Sequence, residues 1–159
     1  MAKAVAVFTG MGDSGVTGVV EFQQHSEESA TSIKGFIEGP GFKEGEKRGF
    51  AINTYGDLSG ENKSGLHFNP YGKNHGAPSA EDRMVGSLGN VQFGAKGRAE
   101  VALEDLHVKL IGPRSVIGRS IAVYENEDDL GKGGSALSLV NGNKGKVVAV
   151  GVIGIASSS

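Results

Sequence analysis

The side chains best suited to chemistry lie in one stretch of this 159-residue chain, LHFNPYGKNHGAPSAEDRMVGSLGN at 66–90. It holds His67 and His75, two of the four histidines, with Met84 a little further on. Neutral imidazole is the commonest metal ligand, and a thioether is a soft donor suited to monovalent copper. Two imidazoles fall short of the four donors of a tetrahedral zinc site. The pair therefore reads in two ways. Either it is a small zinc or copper site, which Met84 could join, or the histidines are hydrogen-bonded loop residues and Met84 fills an apolar gap. There is no cysteine, which excludes thiolate ligands, thiol nucleophiles and disulfides. His25 and His107 have no constellation around them and read as surface residues.

Something must hold that stretch in place. Its Gly, Pro, Asn and Asp content predicts ordered loop that closes into a strand near Gly89. Loops this long inside a compact domain are unusual unless they carry function. On either side, apolar runs alternate with turn signals and predict eight short strands, at 3–9, 15–23, 31–38, 47–54, 89–93, 98–104, 117–124 and 146–155. Glycine-rich turns suggest hairpins between the first and second, third and fourth, and fifth and sixth strands. Two long loops remain, at about 55–85 and 125–144. Helical periodicity is missing except for a turn around 79–83, and the tail at 157–159 is expected to fray. The fold class is all-β, an eight-stranded antiparallel barrel or sandwich with two long loops, in a single domain over 1–159.

Composition supports this and narrows the partners. The 27 glycines follow no collagen period, tryptophan is absent, and the apolar residues are mostly Val, Ile, Ala and Leu, a β-rich composition. With 16 basic against 18 acidic residues, the chain has no electrostatic footprint for nucleic acid or an anionic membrane. The apolar run in MAKAVAVFTGMG is too short for a signal-peptide core, and no window reaches a membrane span. The expected setting is cytoplasmic.

Several phrases, taken together and in order, resemble the copper/zinc superoxide dismutase family: KAVAVF at 3–8, GFAINTYGD at 49–57, HFNP, HGAP and GSLGN within 66–90, DDLGKGG at 128–134 and GVIGIA at 151–156. The resemblance implies an eight-stranded Greek-key barrel. It also implies copper held by four histidines and zinc by three histidines and an aspartate, one histidine being shared. Carried over by position, the shared histidine is His67 and a zinc histidine is His75. The other ligand positions hold Ala51, Asn53 and Tyr124 on the copper side, and Met84 and Ser87 on the zinc side. Asp128 stands where the family's aspartate orients metal-binding histidines, Val147 where an arginine guides the anion, and Val150 where a disulfide cysteine would be.

On that reading the chain has lost most copper and zinc ligands. No cofactor is expected, weakly bound zinc or copper being the alternative, and normal dismutase activity is expected to be missing. The role implied is that of a binding, scaffold or decoy homodimer, joined through GVIGIA and residues near Phe50 and Ile117. A heterodimer with an active copper/zinc superoxide dismutase or its copper chaperone is a variant of this reading. The competing function is an atypical dismutase using a reduced metal site around His67 and His75. The apolar SALSLV run at 135–140 either forms a partner surface or folds back over the vacated cavity.

Overall fold

Side chains alternate in and out along most strands, as a one-faced sheet requires. In β2 (Thr17–Gln24), Val20 and Phe22 point inward while Glu21 and Gln23 face solvent. The same logic shapes β1 (Ala2–Gly10), β3 (Thr31–Glu38) and β6 (Arg98–Asp105). By contrast β4 (Lys47–Asn53) and β7 (Ser120–Tyr124) are buried on both faces. Phe50 and Ile52 enter the main core, whereas Ala51 joins Ala122, Tyr124 and Val150 in a second cluster on the opposite face. β5 (Ser87–Gln92), β8 (Val147–Val152) and the short β9 (Gly154–Ile155) complete the set. The computed structural model describes residues 1–157, so of the tail expected to fray, residues 158 and 159 lie outside the described residues.

The strands form one antiparallel sheet in the order β5-β4-β7-β8-β1-β2-β3-β6, with β9 continuing beyond β8 to pair with β1. This is an eight-stranded, nearly closed barrel. Only the first of the three expected hairpins forms, between β1 and β2. β3 pairs with β2 and β6, and β4 with β5 and β7. The reason lies in the two connections that cross at one end of the barrel. Gly39 N–H donates to Gly97 O at 3.0 Å and Phe93 N–H to Glu46 O at 2.8 Å. The Phe42 and Phe93 rings stack there with centroids 3.8 Å apart. Glycines read as tight turns thus belong to a crossover sealed by two aromatics.

The loop after β4 is fastened without a disulfide. Thr54 N–H donates to Leu66 O and Phe68 N–H to Ile52 O, at 2.8 and 2.9 Å. Buried Arg83 reaches Asp105 Oδ2 at 2.7 Å and donates to the carbonyls of Pro78, Met84 and Val85. The Arg119 guanidinium lies 3.7 Å over the Phe68 ring and donates to Thr54 O.

Candidate metal centre

Residues 66–68 run beside β4, and an isolated bridge joins Asn53 to His67. That pairing brings His67 Nδ1 to 2.9 Å from Asn53 Oδ1. An amide oxygen only accepts, so Nδ1 carries the hydrogen and Nε2 is left with its lone pair. Asn53 is itself held by Tyr124, whose hydroxyl accepts from Asn53 Nδ2 at 2.9 Å. The Tyr124 ring meets the His67 ring edge-on, with centroids 5.9 Å apart. His67 Nε2 is the one buried side-chain nitrogen or oxygen without a hydrogen-bond partner among the described residues. Burial above all, then the charges of Lys144 and His75, holds the His67 pKa well below its usual value against the opposing pull of the Asn141 backbone, which lies near the ring but outside hydrogen-bond geometry, so the ring is neutral.

His75 is engaged on both sides. Its Nε2 lies 2.7 and 2.9 Å from the Asp128 carboxylate oxygens, and its Nδ1 lies 2.8 Å from Ser87 Oγ. With Nε2–H donating to the carboxylate, Ser87 donates to Nδ1. Its backbone N–H reaches Leu139 O at 2.8 Å, which ties the two long loops together. Asp128 is positioned in turn by Asn90, which accepts from Asp128 N–H at 2.7 Å and donates to Asp128 O at 3.0 Å. The two imidazole centroids are 5.6 Å apart.

Between these groups lies a side chain that the sequence reading passed over. Lys144 is 1% exposed and its ammonium donates to Asn141 O. The same nitrogen stands 3.6 Å from Asp128 Oδ2 and 5.2 Å from the centre of the Tyr124 ring. Its stem lies on β4 at Gly49, where any Cβ would collide with it. Burial lowers the Lys144 pKa to about 8, against the opposing pull of Asp128; burial likewise pushes the Tyr124 phenol up to about 12. The one hint in sequence was that Lys144 is the first charge after the uncharged run GGSALSLVNGN at 133–143.

A cleft of about 920 Å³ opens above this floor, with His67, Asn53, Tyr124, Met84 and Lys144 among its lining residues and Val147 also on its wall. The positions singled out from sequence are therefore brought together: Ala51 and Tyr124 in the apolar cluster, Asn53 against His67, Ser87 against His75, and Asp128 beneath both His75 and Lys144. The SALSLV run borders the cavity through Val140 without covering it. Leu137 and Leu139 are half exposed, Val140 lines the cleft, and Lys144 fills the interior. Phe50 itself is fully buried in the main core, so any contribution from this region to a surface patch comes from its neighbours. His25 and His107 are exposed.

A Greek-key barrel with a histidine-bearing loop laid against two of its strands defines the class of protein. The family model for copper/zinc superoxide dismutase matches residues 16–153. The chain is 48% identical to the copper-zinc superoxide dismutase of Kluyveromyces lactis over 159 residues, covering 99% of this chain and 100% of that one. It is 51% identical to that of Neurospora crassa over 156 residues, and 46% identical to that of Saccharomyces cerevisiae over 156, each covering 98% of this chain and 99% of the relative. The chain belongs to the copper/zinc superoxide dismutase family. These relatives correct one expectation: proteins this similar over their whole length are named for copper and zinc, so the reading that no cofactor is to be expected is withdrawn.

A four-imidazole copper set and a zinc set of three histidines and a carboxylate are not met, because among the described residues no group of three or more His, Cys, Asp or Glu is placed to hold an ion. A single ion on His67 Nε2 does fit. A buried acceptor with no donor is costly to leave bare, and a bound cation would satisfy it. No helix of the described residues is long and apolar enough to cross a membrane.

Proposed function

We propose that this protein is a superoxide dismutase that works with a reduced metal site around His67 and His75. The observation that carries the reading is the unpartnered, neutral Nε2 of His67 at the floor of an open cleft, beside a second imidazole whose orientation is fully fixed. A copper ion bound there would supply the one-electron chemistry that dismutation needs. The chain's own residues do the rest. Asn53 holds the tautomer that frees Nε2, Tyr124 holds Asn53, and Asp128 with Ser87 locks His75. The cluster of Ala51, Ala122, Tyr124 and Val150 keeps water from one side of the site. The test is superoxide dismutation per bound metal after loading with copper and zinc, set against free copper and against a His67→Ala, His75→Ala double variant. Activity above free copper that vanishes in the double variant supports the reading; activity no higher than free copper overturns it.

That second outcome would favour the scaffold or decoy reading, which the apolar packing at Ala51 and the half-exposed Leu137 and Leu139 support. In either role we place the protein in the cytoplasm as a homodimer. Val7, Val152 and Ile155 are 61%, 39% and 81% exposed on neighbouring strands and offer a patch that a two-fold axis can use on both subunits. Sedimentation showing a monomer at micromolar concentration would sink the dimer. Mixing with an active relative or its copper chaperone tests the heterodimer.

A further inference from the structure

We propose that Lys144 makes the floor of the cleft a receptor for small monovalent anions, superoxide among them. The inference rests on the dismutase reading above only in naming superoxide; the receptor itself needs no metal. Three observations carry it.

The first is where the charge sits. The Lys144 ammonium donates to Asn141 O and lies 5.2 Å from the centre of the Tyr124 ring, and Lys144, Asn141 and Tyr124 all line the cleft. Asp128, 3.6 Å from the same nitrogen, is buried and does not line it. The ammonium therefore stands between the cleft and its own counter-charge, and an anion entering the cleft meets the cation first. Its charge is felt across the floor, since it helps to hold the His67 pKa down.

The second is hydrogen-bonding capacity. A lysine ammonium has three N–H donors. Asn141 O takes one. Asp128 Oδ2, at 3.6 Å, is too distant for a good hydrogen bond and draws a second by charge. Among the described residues no oxygen acceptor is paired with the third. An anion can take it.

The third is the contrast between floor and mouth. Asp57, Glu61 and Lys146 also line the cleft, but all three are exposed, where water and salt screen them. Lys144 is 1% exposed, so its field reaches the cleft through a medium of low dielectric. Val140, Val147 and Val150 on the walls bring no charge to the site. A single cation among apolar walls favours a small monovalent anion over a strongly hydrated dianion such as sulfate, which would have to shed more water.

The experiment titrates metal-free protein with azide and, separately, with sulfate, reading the nitrogen-15 signals of the lysine ammonium groups. In the wild type azide should shift the Lys144 signal saturably and leave exposed Lys146 nearly unmoved, with sulfate about tenfold weaker or more. Lys144→Met, followed by calorimetry, should weaken azide binding about tenfold or more. In copper-loaded protein with equal metal per chain, the same variant should lower kcat/KM for superoxide about tenfold and flatten its dependence on ionic strength. A Lys144 signal indifferent to azide overturns the inference, as does unchanged azide affinity in a folded Lys144→Met. The wild-type signal decides the matter if that variant fails to fold. Saturable azide binding at Lys144 without dismutation above free copper supports the receptor and overturns the dismutase reading alone. Dismutation whose kcat/KM and salt dependence are indifferent to Lys144→Met overturns the inference alone.

Discussion

The two histidines sit 5.6 Å apart in surroundings that differ in kind. The half around His75 is closed, because Ser87, Asp128, Asn90 and Leu139 answer every polar group with a partner inside the protein. The half around His67 is less complete, with one nitrogen fixed by Asn53 and the other buried without a hydrogen-bond partner at the floor of a cleft. A closed network adds rigidity and joins the two long loops, while an open lone pair stores capacity for a ligand. The site is thus divided between a hinge pin and a receptor.

Asp128→Ala tests the closed half most severely. It strips His75 of its orienting carboxylate and leaves the Lys144 ammonium, 1% exposed, without its counter-charge. Removing one member of a buried ion pair costs about 3–5 kcal/mol, and urea unfolding of metal-free protein should show a loss of that order. A loss under about 1 kcal/mol would mean that the closed half is not locked.

Alkaline pH probes the boundary between the halves. Lys144 has a folded pKa of about 8 against an ordinary 10.5, so between those values the unfolded chain binds the extra proton. Stability must therefore rise with pH across that window. At about 1.4 kcal/mol per pH unit the full gain is about 3 kcal/mol. Tyr124, pushed up to about 12 from 10.0, acts in the opposite sense, and its contribution is lost as pH rises from about 10 to 12. Unfolding free energy of metal-free protein should peak near pH 10. In Lys144→Met the rise from pH 8 should flatten, and an unaltered rise would show that another group causes it.

What could be read from sequence follows the same division. Alternation along β2 and β3 and the double burial of β4 are local patterns, so strands were legible within a few residues. Pairing was not, since β3 meets β6 only because the crossing connections bond to each other and stack Phe42 on Phe93. The loop histidines were legible from type and setting. Lys144 was not, because a lysine in a Gly- and Asn-rich segment normally belongs to a solvated loop, and its burial depends on Gly49, nearly a hundred residues earlier.

Comparing single alanine variants sharpens the contrast. His75→Ala leaves Ser87 Oγ and one face of Asp128 unanswered in the interior, at about 1–3 kcal/mol for such groups on top of the lost packing. His67→Ala removes a ring whose Nε2 was already unanswered, so it should cost about 1–2 kcal/mol less. Metal-free protein is the right sample, and equal losses would erase the distinction between the halves.

The smallest effect expected is that of Tyr124→Phe, and it bears most directly on why Nε2 is bare. The phenol accepts from Asn53 Nδ2 at 2.9 Å and lies 3.1 Å from Asn53 Oδ1, to which it can donate, and these contacts pin the amide whose oxygen meets His67 Nδ1. Losing one such hydrogen bond costs about 1 kcal/mol. The chemical consequence is larger than the energetic one. Without the hydroxyl, the Asn53 amide is free to turn over and present its NH2 to Nδ1, which then accepts, so the ring hydrogen moves to Nε2. Nitrogen-15 spectra of the imidazoles distinguish the two tautomers. In the wild type His67 should show a protonated Nδ1 and a bare Nε2, and in Tyr124→Phe a growing share of the opposite form. His75, fixed by Ser87 and Asp128, should keep its signature in both proteins. A His67 signature that is indifferent to Tyr124 would show that something other than the Tyr124–Asn53 pair prepares the open nitrogen.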